Sequence, residues 1–246
     1  MKKILLILLC LPVIGLGQQT YVPDDNFENY LETHTVWGMV VPMGDPNSMG
    51  DGTMNDYVPT TNINTITDLN IAGNGSYNIS DLTGIEDFIA LDDLRCYSNQ
   101  ITNLDLTANT DLTFLDCSDN QLTILDVSNN STLSILSCHS NQLTSLDIRN
   151  RNNVNMQIHT FNNPNLYCIN VDDAAWATTN QYFWSDIDLQ HYFSDNCSPP
   201  STVQEHTTNN ELLKIADLLG RETKKTNQLL FYIYDDGTVE KKIIID

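Results

Sequence analysis

The fold is decided by residues 91–150, which read LDDLRCYSNQITNLDLTANTD (91–111), LTFLDCSDNQLTILDVSNNST (112–132) and LSILSCHSNQLTSLDIRN (133–150). Aligned under one another, the three segments repeat with a period of 21 residues. The most regular columns are Leu94, Leu115 and Leu136; Cys96, Cys117 and Cys138; and Asn99, Asn120 and Asn141. Such a period predicts stacked units of one kind rather than a conventional globular core.

Within each unit, the alternation of buried-type residues predicts one short strand. Leu94 and Cys96 lie two positions apart, so their side chains point to the same face while their neighbours point outward. A single unit is too small to bury its apolar stripe, but stacked units bury one continuous core. The sequence therefore predicts a parallel sheet along one face of a right-handed coil.

The repeat extends in both directions with less regular spacing. Upstream, residues 66–71 and Asn74 follow the same pattern, with 25 residues between Leu69 and Leu94. Downstream, Gln157 and His159 occupy the positions 21 residues after Leu136 and Cys138, although Val154 and Asn162 keep that register. We expect about five coils, the last of them irregular.

The unit L-x-x-L-x-C-x-x-N-Q-[IL]-T-x-L-D resembles a leucine-rich repeat with Cys in place of the third Leu. The resemblance implies an α/β solenoid: a short right-handed coil with a parallel β-sheet face. Read with its flanks, the chain is predicted to carry a helical N-terminal cap (18–65), repeats (66–172), a disulfide-closed C-terminal cap (173–197) and a small β tail.

The inward columns predict stability rather than chemistry. Asn99, Asn120 and Asn141 are expected to satisfy backbone groups where the chain leaves each strand. Losing these partners is expected to cost about 1–3 kcal/mol per site. Cys96, Cys117 and Cys138 suit either a soft-metal site or small core positions, and we favour the core. Asp105, Asp126 and Asp147 either accept N–H bonds at a turn or hold a cation, and we favour the turn.

The outward strand positions vary from unit to unit, unlike the inward ones. They are Arg95, Tyr97, Asp116, Ser118, Ser137 and His139. Variation at outward positions on a constant scaffold is what a specific recognition surface requires. We predict that these residues form the binding face.

The N-terminal cap is predicted to start a helix at the Pro/Asp-containing segment 22–31, with Phe27, Tyr30 and Leu31 on one side. A turn-rich acidic loop, residues 44–56, follows. Its oxygen ligands make Ca²⁺ binding a weak alternative. The residues that would provide those ligands are Asp45, Asn47, Asp51 and Asp56.

The C-terminal cap resembles that of secreted bacterial repeat proteins of this type. Outside the core column and the N-terminal apolar run, the remaining cysteines are Cys168 and Cys197. In an oxidising compartment they are predicted to form a disulfide.

The two ends of the chain predict export. Residues 1–17 have the charged start and short apolar run of a signal peptide. The run is too short to serve readily as the alternative membrane anchor, and Cys10 lacks the small preceding residues that lipidation needs. Beyond the predicted linker 198–206, we expect a hairpin around residues 235–238, and residues 211–219 suit a helix or a strand.

Residues 213–222 and 237–245 resemble the type A C-terminal sorting domain of type IX secretion substrates. The resemblance covers roughly 207–246. It implies recognition by the type IX secretion machinery and a secreted or outer cell-surface location.

The net charge limits the classes of partner that can be expected. Residues 18–207 hold 3 Arg and 25 Asp and Glu, a balance of 3 − 25 = −22. Such a surface repels phosphate backbones, so we expect no nucleic acid. No nucleophile, zinc or phosphate-loop motif is present. The prediction is a non-enzymatic module without cofactor that binds a protein or cell-surface ligand; the alternative is a Ca²⁺-dependent structural or adhesive protein.

Overall fold

The computed structural model describes residues 18–73, 76–152, 156–180 and 186–197, together with the backbone of 212–216, 229–234 and 239–243. The chain divides into two units, residues 1–197 and 198–246. The predicted signal peptide, the linker, Asn74 and Val154 lie outside the described residues.

The first unit consists of very short strands with few helices. In chain order its elements are β1 (Gln19–Tyr21), α1 (Asp25–Thr33), β2 (Tyr57–Pro59), α2 (Thr60–Ile63), β3 (Asp68–Asn70), a 3-10 turn (Ile85–Asp87), β4 (Asp93–Arg95), β5 (Phe114–Asp116), β6 (Ile124–Asp126), β7 (Ile135–Ser137), β8 (Ser145–Asp147), β9 (Gln157–His159), β10 (Cys168–Asn170), α3 (Ala174–Thr179) and β11 (Tyr192–Ser194).

The predicted parallel sheet is present and has five strands, in the order β3-β4-β5-β7-β9. One buried aliphatic side chain per strand stacks on the next in a single column. The column consists of Leu69, Leu94, Leu115, Leu136 and Ile158. The prediction of about five coils is confirmed.

The register predicted for the last coil is wrong. Leu136 pairs with Ile158 rather than with Gln157, so this coil is one residue longer than the two 21-residue coils before it. Asn163, not Asn162, then takes the ladder position, accepting from the Leu143 amide at 3.0 Å. The extra residue is absorbed in the connection between the coils, because burial of Ile158 fixes the strand register.

A second parallel sheet closes the coils on another side, in the order β11-β10-β8-β6. Leu125, Leu146, Ile169 and Phe193 form its inward column. The repeats that begin at β5 and β7 therefore turn through a second strand, β6 or β8, and not through a helix. The residues between β4 and β5 contain neither a second strand nor a helix. The described helices lie in the two caps and just before β3.

The predicted N-terminal capping helix is confirmed. The side chain of Asp24 accepts hydrogen bonds from the amides of Asn26 and Phe27 at 3.0 and 2.9 Å, which starts α1 at Asp25. Phe27, Tyr30 and Leu31 are all buried and cover the first coil.

The C-terminal cap contains the predicted disulfide. Cys168 in β10 is bonded to Cys197, 29 residues later. The bond ties the end of the cap to the last full coil, and β11 adds a final parallel strand beside β10.

The second unit contains three antiparallel strands, β12 (Leu212–Ala216), β13 (Leu229–Tyr234) and β14 (Val239–Ile243). Pairing of β13 with β14 confirms the predicted hairpin. The segment that the sequence left between helix and strand contains the strand β12.

Candidate functional site

The inward asparagine column supports the five-stranded sheet from behind. Asn120 donates to the carbonyls of Cys96, Cys117 and Ser118 at 3.0–3.1 Å, and its Oδ1 accepts from the Ile101 amide at 2.9 Å. One amide thus joins two adjacent coils. Asn99 and Asn141 make the equivalent bonds, although Asn99 is half-buried because it lies nearer the end of the stack.

The aspartate column is explained by local turns. The Oδ1 atoms of Asp105, Asp126 and Asp147 each accept from the backbone amide two residues later, at 2.9–3.1 Å. These amide bonds lower the pKa of Asp105. The turn interpretation is confirmed.

The cysteine column lies in the core. Cys96, Cys117 and Cys138 are free thiols with no exposed surface. Burial raises the pKa of all three, that of Cys138 to about 12. Their complete burial in one column is what small apolar packing groups require.

The five-stranded sheet presents three outward columns, which we call the sheet face. The first column is Asp68, Asp93, Phe114, Ile135 and Gln157, and the second is Asn70, Arg95, Asp116, Ser137 and His159. Backbone bonds beyond the strands extend the same register to a third column of Ala72, Tyr97, Ser118, His139 and Phe161. All six residues predicted to bind therefore belong to one continuous surface.

Five of those six residues are accessible to some degree: Arg95 is exposed, and Tyr97, Asp116, Ser137 and His139 are half-buried. Ser118 is the exception, with 3% of its surface exposed. It points outward between the larger Tyr97 and His139 of the neighbouring rungs, and its hydroxyl donates to Asp116 at 2.6 Å. The prediction that Ser118 contacts a ligand is therefore corrected. Ser118 instead positions the Asp116 carboxylate.

The sequence reasoning missed the apolar part of the sheet face. Phe114, Ile135 and Phe161 lie on it, half-buried or exposed. The Phe161 ring stacks on His139 with centroids 4.3 Å apart, and the Arg95 guanidinium lies 5.0 Å from the Phe114 centroid. The detectable signal was the presence of large apolar residues at outward positions of a strand.

The polar part of the sheet face contains an ion pair, in which Arg95 donates to Asp93 at 2.7 Å. A side-chain hydrogen bond of 3.1 Å joins His159 Nδ1 and Asp186 Oδ2. Burial raises the pKa of Asp93, which the neighbouring Arg95 opposes. The bond to Asp93 positions the Arg95 guanidinium over the Phe114 ring.

The acidic loop of the N-terminal cap was the weak Ca²⁺ candidate. The carboxylate of Asp45 accepts from Asn47 and that of Asp51 from Thr53, so these side chains are used in local turns. Among the described residues, the acidic groups that converge are Asp25, Glu28 and Asp56, with ligand oxygens within 4.8 Å of one another. Of the four predicted loop residues only Asp56 belongs to this group, and Ca²⁺ binding stays a prediction.

The stacked rungs and the asparagine ladder define this unit as a leucine-rich-repeat solenoid. Solved structures that it resembles come from Listeria monocytogenes. The functional domain of InlJ, described as including a cysteine ladder, is 25% identical with a TM-score of 0.39, over 74% of this chain and 48% of that chain. The internalin InlF is 18% identical with a TM-score of 0.41, over 65% and 54% of the two chains.

A third similar structure, internalin C2 of the same organism, is 17% identical with a TM-score of 0.41, over 76% of this chain and 94% of that chain. The present chain spans about half the length of InlJ and InlF. No family model and no curated protein sequence matches it. None of the helices in the described residues combines the length and apolar character needed to cross a bilayer.

Proposed function

We propose that the solenoid is a non-enzymatic module that recognises a partner protein through the sheet face. The observation that carries the proposal is the contrast between the two sides of each strand. Inward positions repeat Leu, Cys and Asn with little change, whereas outward positions differ from rung to rung. A rigid scaffold with varied outward side chains suits specific recognition.

The composition of the sheet face supports protein binding in particular. Its Tyr97, Phe114 and Phe161 supply aromatic contact area, and Arg95 is held in place among them. Aromatic residues and Arg are enriched where protein interfaces gain most of their binding free energy. Partly buried rings on an ordered backbone also lose little conformational entropy on binding.

The proposal is tested by comparing proteins that cross-link to the wild-type chain and to variants in extracts of bacterial and host cell surfaces. Phe114→Ala combined with His139→Ala is expected to reduce specific capture at least about tenfold, since each truncates a central contact. Ile124→Ala, an exposed apolar position on the second sheet, is the matched control and is expected to capture normally. Equal capture by all three proteins would contradict the assignment.

We also propose that the protein is exported, by the type IX route. The apolar start at residues 4–16, the Cys168–Cys197 disulfide and the resemblance of residues 207–246 to a sorting domain support this. Deleting residues 207–246 is expected to leave the protein in the periplasm, as judged by fractionation and immunoblotting. Normal export of the truncated chain would overturn the type IX route.

A further inference from the structure

The N-terminal cap carries a tight turn, residues 34–40, whose large apolar side chains face solvent. Trp37 is 83% exposed, Val40 77% and Met39 60%. A cluster of exposed large apolar groups on an ordered protein surface marks an interaction site more often than chance. Trp37 in particular is the residue type most enriched at binding hot spots.

The backbone of the turn around Trp37 is held by hydrogen bonds. The Gly38 amide donates to the Thr35 carbonyl at 2.8 Å, and the Thr35 amide donates to the Met39 carbonyl at 2.9 Å. The Thr35 hydroxyl accepts from the Trp37 amide at 3.3 Å, and Gly38 takes the positive φ of 71° that a side chain would disfavour. The backbone is therefore ordered before any partner arrives, which lowers the entropic cost of binding.

Behind the turn lies a groove of about 720 Å³ that runs along β3. Every residue from 65 to 70 lines it, with Trp37 on one side and Tyr97 of the next rung beyond. β3 is the edge strand of the five-stranded sheet. A groove that follows a strand for its whole length has the shape to accept an extended polypeptide segment.

The wall of the groove is aromatic and uncharged. Tyr30 stacks on His34 with centroids 3.9 Å apart, meets Tyr77 edge-on, and donates to the Asn70 carbonyl at 2.7 Å. Burial raises the pKa of Tyr30 to about 12 and lowers that of His34. Both groups are accordingly neutral near pH 7, and an aromatic wall attracts apolar groups and, over the faces of its rings, cations.

The rim of the groove is negatively charged. Asp68 lines the groove and pairs in register with Asp93 of the next strand. Asp92 precedes Asp93 in the chain. Arg95 is bonded to Asp93, so it neutralises one of three carboxylates. The excess negative charge favours a cationic ligand group.

We propose that this groove binds an extended segment of a partner protein in which Lys or Arg adjoins a large apolar residue. The apolar residue packs against Trp37 and Tyr97, and the cation lies at the Asp68 rim. The assignment rests on the proposed function, because groove and sheet face share the first rungs, and it specifies the chemistry of the partner at that end.

The test selects ligands from a random dodecapeptide display library on the immobilised full chain. Enriched peptides are expected to contain Lys or Arg next to a Trp, Tyr, Phe or Leu. Trp37→Ala is expected to weaken their binding at least about thirtyfold, as for a hot-spot residue. Asp68→Asn is expected to weaken it about fivefold, as for a partly screened charge pair.

The matched control is Leu189→Ala, which removes a fully exposed apolar side chain from the C-terminal cap and is expected to leave binding unchanged. Enrichment of neutral or acidic peptides, absence of enrichment, or binding that survives Trp37→Ala would overturn the groove assignment. Binding of arrayed glycans, but not of peptides, in a manner that needs Trp37 would overturn it as well. If cross-linked capture still depends on Phe114 and His139, the sheet-face function stands regardless of these outcomes.

Discussion

Replacement of Asn120 by alanine is expected to lower the free energy of unfolding by about 3 kcal/mol or more. The side chain is 8% exposed and makes four hydrogen bonds to backbone groups of two coils. Alanine leaves the buried Ile101 amide without its acceptor. It also removes one of the donors to each of three backbone carbonyls, in a region that water reaches poorly. A buried group that loses its partner costs more than an average hydrogen bond contributes.

The loss is measured by urea unfolding followed by circular dichroism. Gln121→Ala changes the adjacent, exposed side chain and is the matched control, with an expected change below about 0.5 kcal/mol. If Asn120→Ala were as stable as Gln121→Ala, the ladder would not be what holds the coils in register.

Removal of the disulfide is expected to cost about 3 kcal/mol, because it closes a segment of 29 residues. The effect should be concentrated at the C-terminal end, since each coil of a solenoid contacts only its neighbours. In the Cys168→Ala, Cys197→Ala double variant, limited proteolysis is expected to cleave the last coil and the C-terminal cap earlier in the time course than residues 66–150.

The wild-type protein treated with a reducing agent should behave like the double variant, and the agent should have no effect on the variant itself. Cys96, Cys117 and Cys138 are free and buried, so they do not complicate this comparison. Identical unfolding and proteolysis of oxidised and reduced wild-type protein would contradict a stabilising role for the bond.

The repeat period carried most of the fold information. Leu94, Leu115 and Leu136 are in register because their spacing equals the length of one coil. That reasoning failed in the last coil, where one extra residue moves the buried position to Ile158. Burial of an apolar side chain, and not constant spacing, sets the register there.

The second sheet and the full set of sheet-face residues were harder to predict from the sequence. Leu125 and Val127 alternate just as Leu115 and Cys117 do, so a second strand per unit could have been predicted from the same rule. Phe114 was overlooked because an apolar residue at an outward position is ambiguous in one sequence. The groove could not be predicted from the sequence, because no repeat relates Trp37 to Tyr97. The N-terminal cap packs over β3 and brings the two residues to one cavity.

The central claim is that the sheet face contacts a partner protein. The most direct test is hydroxyl-radical footprinting of this chain, alone and in complex with the partner identified by cross-linking. Side chains of Tyr97, Phe114 and Phe161 are expected to be oxidised in the free chain and protected in the complex. Tyr167 and Tyr192, exposed near the second sheet, should react equally in both. Protection of Tyr167 and Tyr192 with unchanged oxidation of Tyr97, Phe114 and Phe161 would contradict the claim.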